Sequence, residues 1–311
     1  MNVQNVLPRD AIPSIDQPTF GPEYFGAADD EMLVIDGDPP RAYPIRILSY
    51  HEIVNDVVDD RPIAVTWCPI CWSGAVYERR VNGQTLTFGT SGKLADDVLV
   101  MYDRETESEW QQSTGTAIAG QLHGERLLLL HGRMLSWEQF NAEYPDGIVL
   151  QPRRRSDDTG DHSVRDSYDM EPYNRYKNGD EFGLYGMRGE GPRRSWKRED
   201  IAPKTVVVGV EHGGDAVAVP VVSLEASEGL VQTSVGDTDI IVVGTGNGAS
   251  VFVHPGFEVT RDDDRLCGDG TTWDIVSGIG ADGRQLNRLP ARRLFAFAWQ
   301  DAHGPDAFEL V

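Results

Sequence analysis

Apolar and polar residues alternate over short stretches along most of this chain, and few stretches carry the 3.6-residue period of an amphipathic helix. MLVIDG (32–37) and RAYPIRIL (41–48) flank a DGDPP turn and predict a hairpin. RPIAVTW (61–67) is a β-branched run. SGAVYERRV (73–81) and QTLTFGT (84–90) flank Asn82-Gly83, the strongest short hairpin signal. VLVMYDR (98–104) predicts a further strand, and ERLLLLHGRM (125–134) one more. Helices are expected at YHEIVNDVV (50–58) and at SWEQFNAEY (136–144), where Ser136 is a candidate N-cap ahead of Glu138 and Gln139. The last third gives strands at TVVVGV, DAVAVPVVSL, DIIVVGTG, ASVFVHP and LFAFAWQ. The fold class expected is mainly β with minor α.

The pattern is written twice. AYPIRIL (42–48) and AVPVVSL (218–224) share Ala-x-Pro-[Ile/Val]-x-x-Leu. Trp110 and Trp273 are each followed by a hydroxyl residue and a glycine four and five positions on, with another glycine at ten. PDGIVL (145–150) and PDAFEL (305–310) close the two series in the same order. Three matched motifs in one order point to a duplication. The expected architecture is two tandem copies of a small β-barrel or sandwich domain, at 25–150 and 203–311, joined by a long connector or flap at 151–202. Tyr168, Tyr173, Tyr176, Tyr185 and Trp196 in that connector predict that it packs on the rest.

Composition narrows the partners. Asp and Glu number 50 against 28 Lys and Arg, for a formal net charge of −22. Such a charge repels nucleic-acid backbones and anionic membranes. An acidic shell with only four lysines suits very high salt, and an ordinary acidic cytosolic protein is the plainer reading. No basic segment precedes an apolar one at the N-terminus and no apolar run reaches membrane-spanning length. A cytoplasmic protein without a membrane span is expected, with a small molecule or a metal as its partner.

In a reducing compartment, paired cysteines serve more often as ligands or redox groups than as staples. TWCPICWSG (66–74) holds Cys68 and Cys71, and Cys267 stands apart. A thioredoxin-type pair opens a helix, whereas SGAVYERRVNG after Cys71 reads as strand and hairpin. The segment therefore predicts a β-knuckle. With no second Cys-x-x-Cys, a metal site needs other ligands, and His51 and Met101 are the candidates to complete a Cu or Zn site, with His123 and His131 behind them. Alternatives are a thiol-dependent enzyme or oxidoreductase with Cys68 or Cys71 as nucleophile and His51 as base, a non-catalytic binding module, and cysteines that only fill the core. The second copy reads IIVVGTGNGAS where the first has IAVTWCPICWSG, so the scaffold can do without the thiols. Ser91, Asp103 and Arg104 are candidate pocket residues. Ser91, His51 and Asp103 contain the residue types of a nucleophile triad, but no Gly-x-Ser-x-Gly elbow accompanies them. GTGNGAS (244–250) reads as a hairpin turn, and Arg153–Arg155 as a solvated cluster beside Asp157 and Asp158.

AYPIRIL, HEIVND, TWCPICWSG, TFGTSG, VMYDRETESEWQQSTG and EPYNRY together resemble the family catalogued as domain of unknown function 3179. Its members read AYP, HEIVND, a TYCPLC-like knuckle, FG-x-SG, MYDR-x-T-x-S-x-W-x-Q and DPY-x-x-Y. The resemblance spans roughly residues 30–225 and includes Lys204 in APKTVVVGV. It implies no established activity. Glu171 replaces the family's Asp, and Trp72 stands where relatives carry a small or polar residue.

Overall fold

The computed structural model describes residues 1–153, 168, 172–246 and 248–310. Glu171, Asn247, Arg154, Arg155, Asp157 and Asp158, singled out above, lie outside the described residues. Strands dominate, with a few short helices. No helix among the described residues is long and apolar enough to cross a membrane.

The first hairpin forms from Glu31–Ile35 and Arg41–Pro44, with Leu33 opposite Tyr43. It does not run on to Leu48. Pro44 (φ −61°, ψ 130°) caps a helix at Ile45–His51 that buries Ile45, Ile47 and Leu48. Proline has no N–H for a strand ladder, and its fixed φ suits a helix entry. The helix expected at 50–58 is absent. Glu52, in the left-handed region at φ 57°, ends the preceding helix. The strand Ile53–Val58 then pairs with Arg61–Cys68, from Ile53 opposite Thr66 to Val58 opposite Arg61. Ile53, Val54, Val57 and Val58 are β-branched and fit a pleated surface better than a helix.

The same substitution of helix for strand occurs twice more. Pro220 caps a helix at Val221–Ala226, and LFAFAWQ divides into the strand Ala291–Phe295 and the helix Ala296–His303. ERLLLLHGRM gives two short strands, Leu129–Leu130 and Arg133–Ser136, in different sheets. Asn82 and Gly83 turn with φ 51° and 81°, as a tight hairpin requires. The helix Trp137–Glu143 carries the capping box of Ser136 with Gln139.

One seven-stranded sheet organises the centre. From one edge it runs Asp215–Pro220, Val206–His212, Ala291–Phe295, Ser73–Glu78, Arg61–Cys68 and Ile53–Val58, with Leu129–Leu130 also paired to Ser73–Glu78. The two halves of the chain meet where Arg293 pairs with Gly74. The largest core cluster likewise draws on both, with Trp67, Cys68, Cys71 and Trp72 packed with Phe295, Phe297 and Trp299. Element order recurs along the chain. Glu31–Ile35, Arg41–Pro44, helix Ile45–His51, Ile53–Val58, Arg61–Cys68 and Ser73–Glu78 match Val206–His212, Asp215–Pro220, helix Val221–Ala226, Leu230–Val235, Thr238–Thr245 and Gly248–Val253. The last three strands have 6, 8 and 6 residues in both series.

Candidate functional site

The cysteines sit at the centre of the molecule. Cys68 ends the strand Arg61–Cys68 and pairs with Ser73, so residues 69–72 form the whole turn. The strand resumes at Ser73, which makes the segment a β-knuckle with no helix behind it. Both thiols are free and buried, at 1% and 0% exposure. Several contacts fix the turn. Gln112 donates through Nε2 to Thr66 Oγ1 at 2.9 Å and to the Ser73 carbonyl at 3.1 Å. Tyr176 donates its hydroxyl to the Ile70 carbonyl at 2.6 Å, and Phe295 N–H donates to the Cys71 carbonyl at 2.8 Å.

Trp72 holds its place in the turn at φ 52°, a left-handed conformation. Its ring stacks on Phe295 with centroids 5.9 Å apart and meets Trp67 edge-on at 5.1 Å. A glycine here relieves about 1 kcal/mol of backbone strain, but removing a buried indole costs about 3–5 kcal/mol. Trp72→Gly is therefore expected to lower stability by about 2–4 kcal/mol in urea unfolding, and a neutral or stabilising result overturns the packing argument.

The two sulfurs have opposite characters. Burial disfavours a Cys68 thiolate, but the Cys71 thiol and the backbone N–H groups of Cys71, Leu99 and Ile70 outweigh it and lower the Cys68 pKa. Leu99 N–H reaches Cys68 Sγ at 3.4 Å across the sheet edge. Burial, together with the bond and charge of Cys68, holds the Cys71 proton on well above the usual thiol range. Cys71 Sγ also faces the Cys68 carbonyl at 3.9 Å.

Beside Cys68 stands Glu52, itself buried. Burial first, and the Cys68 charge second, push its carboxyl up to about 8. Its backbone is locked by Glu52 N–H to the Leu48 carbonyl and by Trp67 N–H to its own carbonyl, at 2.7 and 2.8 Å. Glu52 and Cys68 line a mostly apolar cavity with Leu7, Ile12, Leu99 and, from the connector, Tyr173 and Met187. Burial raises the Tyr173 pKa, and the charges of Glu52 and Cys68 raise it further. Tyr168 and Tyr176 of the connector are buried in the largest core cluster, and Tyr173 and Trp196 pack against it. Lys204 pins the connector by donating through Nζ to the Tyr176 carbonyl at 2.6 Å and to the Gly179 carbonyl.

The sequence profile described as protein of unknown function (DUF3179) matches residues 9–307. The chain belongs to the DUF3179 family. No curated protein and no solved structure matches it.

The motifs of this DUF3179 protein divide between the cavity and its supports. Among the described residues, no group of three or more His, Cys, Asp and Glu side chains is placed to hold a metal ion. His51 makes hydrogen bonds through Nδ1 with the Pro13 carbonyl and through Nε2 with the Tyr168 hydroxyl, both at 2.7 Å. Those bonds engage both ring nitrogens. Met101 is fully buried in its strand, opposite Thr90 and Trp110. His123 is exposed, and burial with the Arg288 charge lowers the His131 pKa to about 4.

Ser91, Asp103 and Arg104 do not line the cysteine cavity. Ser91 Oγ donates to the Val100 carbonyl at 2.6 Å, inside a break in strand register between Thr90 and Lys93. Asp103 organises the turn that follows it, and Arg104 pairs with Asp16 at 2.5 Å and with Ser14 at 2.9 Å. The Ser-His-Asp set is not assembled, because each member is committed elsewhere. Sequence reasoning missed Glu52, Met187 and the segment around Leu7 and Ile12, and had Tyr173 only as a packing aromatic. Glu52 had one signal, an acid inside the apolar run of HEIVND.

Proposed function

We propose that this protein is a thiol-dependent oxidoreductase in which Cys68 is the attacking thiolate and Cys71 the resolving thiol. The observation that carries this reading is a buried Cys68 sulfur that accepts the Leu99 N–H at 3.4 Å in the turn it shares with Cys71, surroundings that lower its pKa despite burial. A buried thiol needs no such donor merely to fill space, and thiolate character is what makes sulfur nucleophilic. A soft-metal site is the first expectation from the cysteines. It has less support, since the described residues group no third His, Cys, Asp or Glu with the pair. A reducing, cytoplasmic setting fits the three free thiols. We further propose that residues 203–311 are a thiol-free copy of residues 25–150, acting as scaffold. The recurring order of strands and Pro-capped helix supports that reading.

Iodoacetamide labelling across pH, read residue by residue by mass spectrometry, tests the thiol assignment. Cys68 is expected to label first, with a midpoint below the roughly 8.5 of free cysteine. Cys71 is expected to label in the folded protein only slowly. Cys71→Ser, which keeps a weaker donor, is expected to raise the Cys68 midpoint. A Cys68 midpoint at or above that of a free thiol defeats the proposal.

A further inference from the structure

We propose that the cavity over Cys68 is a reaction site for a small apolar organic hydroperoxide, with Glu52 as the proton donor to the departing oxygen. The inference rests on the thiol reading above and names its substrate class.

Burial selects the oxidant. Cys68 and Cys71 are 1% and 0% exposed. Attack on a protein disulfide requires two sulfurs to meet in line, which a sulfur at the base of a cavity does not permit to a folded partner. A terminal peroxide oxygen on a small molecule can reach it. The cavity itself holds only about 60 Å³, room for the peroxide end of a small molecule whose alkyl part lies toward the open mouth. Leu7, Ile12, Ile70, Leu94, Leu99 and Met187 make most of its wall apolar. That wall favours an alkyl peroxide over hydrogen peroxide, which has no carbon to bury. Cys68 lines the cavity and Cys71 does not, which sets the order of events.

Among the described lining residues Glu52 is the only carboxyl, and Lys93, which also lines the cavity, is paired to Glu109 at 2.5 Å. The Cys68 thiolate attacks the terminal oxygen of ROOH. The O–O bond breaks, the leaving alkoxide takes the Glu52 proton as ROH, and Cys68 becomes a sulfenic acid. The Cys71 thiol then displaces hydroxide from that sulfur. The Cys68–Cys71 disulfide forms and water leaves with the Cys71 proton. Glu52 regains its proton from solvent. Two equivalents of a low-molecular-mass thiol, small enough to enter the same cavity, reduce the disulfide and leave as their own disulfide. The sum is ROOH plus two RSH giving ROH, water and RSSR.

The test uses the reduced full-length protein with tert-butyl hydroperoxide, hydrogen peroxide and oxidised glutathione at equal concentration. Thiol loss is followed by stopped-flow and intact mass. The expected result is one tert-butyl hydroperoxide consumed per chain, a loss of 2 Da to a Cys68–Cys71 bond, and a rate at least tenfold above that with hydrogen peroxide. Oxidised glutathione should act more slowly still. Cys71→Ser should stop at a dimedone-trappable sulfenic acid on Cys68. Glu52→Gln should slow the hydroperoxide step at least tenfold while iodoacetamide labelling of Cys68 stays as fast as in wild type. A Cys68 that labels rapidly with iodoacetamide but reacts with tert-butyl hydroperoxide no faster than a free thiol overturns the substrate class and leaves the thiol reading standing. A Cys68 inert to both overturns both. Equal hydroperoxide rates in Glu52→Gln and wild type overturn the role of Glu52.

Discussion

Replacing Glu52 with Gln is expected to abolish most of the loss of stability that the protein suffers, through this group, between about pH 4.5 and pH 8. The carboxyl is fully buried, and its pKa rises from 4.5 to about 8 on folding. Below about 4.5 it is protonated in the folded and unfolded chains alike and has no effect on the balance. Above that the unfolded chain releases the proton while the folded chain keeps it, so stability falls steadily until the folded group ionises near 8. Each tenfold change in proton affinity corresponds to about 1.4 kcal/mol, which sets a ceiling of about 5 kcal/mol on the loss. An amide has the shape of the protonated acid and does not ionise. Urea unfolding at pH 4.5, 6 and 8 should find the variant level with wild type at the first and ahead by several kcal/mol at the last. Curves that stay parallel would show that Glu52 is not held neutral. Cys68 acts in the opposite sense, because a lowered folded pKa gives stability above that value and loses it as the pH falls through it. Both proteins carry Cys68, so its contribution largely cancels in the difference.

Asp103→Ala is expected to destabilise the protein by about 3–5 kcal/mol without changing how fast Cys68 labels in folded molecules. Asp103 is completely buried and accepts three hydrogen bonds: from Thr106 N–H at 2.6 Å, from Thr106 Oγ1 at 2.9 Å and from Trp110 Nε1 at 2.9 Å. Bonds to a carboxylate contribute about 1.5–3 kcal/mol each, and alanine leaves the indole N–H buried without a partner. Chemical denaturation gives the first quantity and iodoacetamide labelling the second. A loss below about 1 kcal/mol, or a labelling rate that falls with the aspartate, would move Asp103 back to the site.

These two residues show where the chain is readable. The strands are, because runs such as RPIAVTW and VLVMYDR combine β-branching with turn signals at both ends. AYPIRIL and DAVAVPVVSL read as strand throughout, because the proline that turns each into a helix changes one backbone angle and leaves the apolar pattern intact. The same ambiguity hides Glu52. In a helix over 50–58 it would be one more surface acid. As the left-handed residue between helix and strand, it is carried into the core. The cysteines are legible from their spacing, and the strand after them excludes the redox helix. Their surroundings are not. Leu7, Leu99, and Tyr173 with Met187 come from three separate parts of the chain, and only the folded chain brings them to one cavity. Asp103 and Ser91 look like chemistry because buried structural hydrogen bonds need the same side chains that catalysis does.

The contact between Phe295 N–H and the Cys71 carbonyl sets a schedule for synthesis. Ala291–Phe295 follows far behind Ser73–Glu78, the strand it pairs with at Gly74. While the ribosome is still making the second half, that position is an open sheet edge, and the cysteine turn lacks both its final hydrogen bond and the ring on which Trp72 stacks. The cysteine turn is therefore completed only after Phe295 has been made.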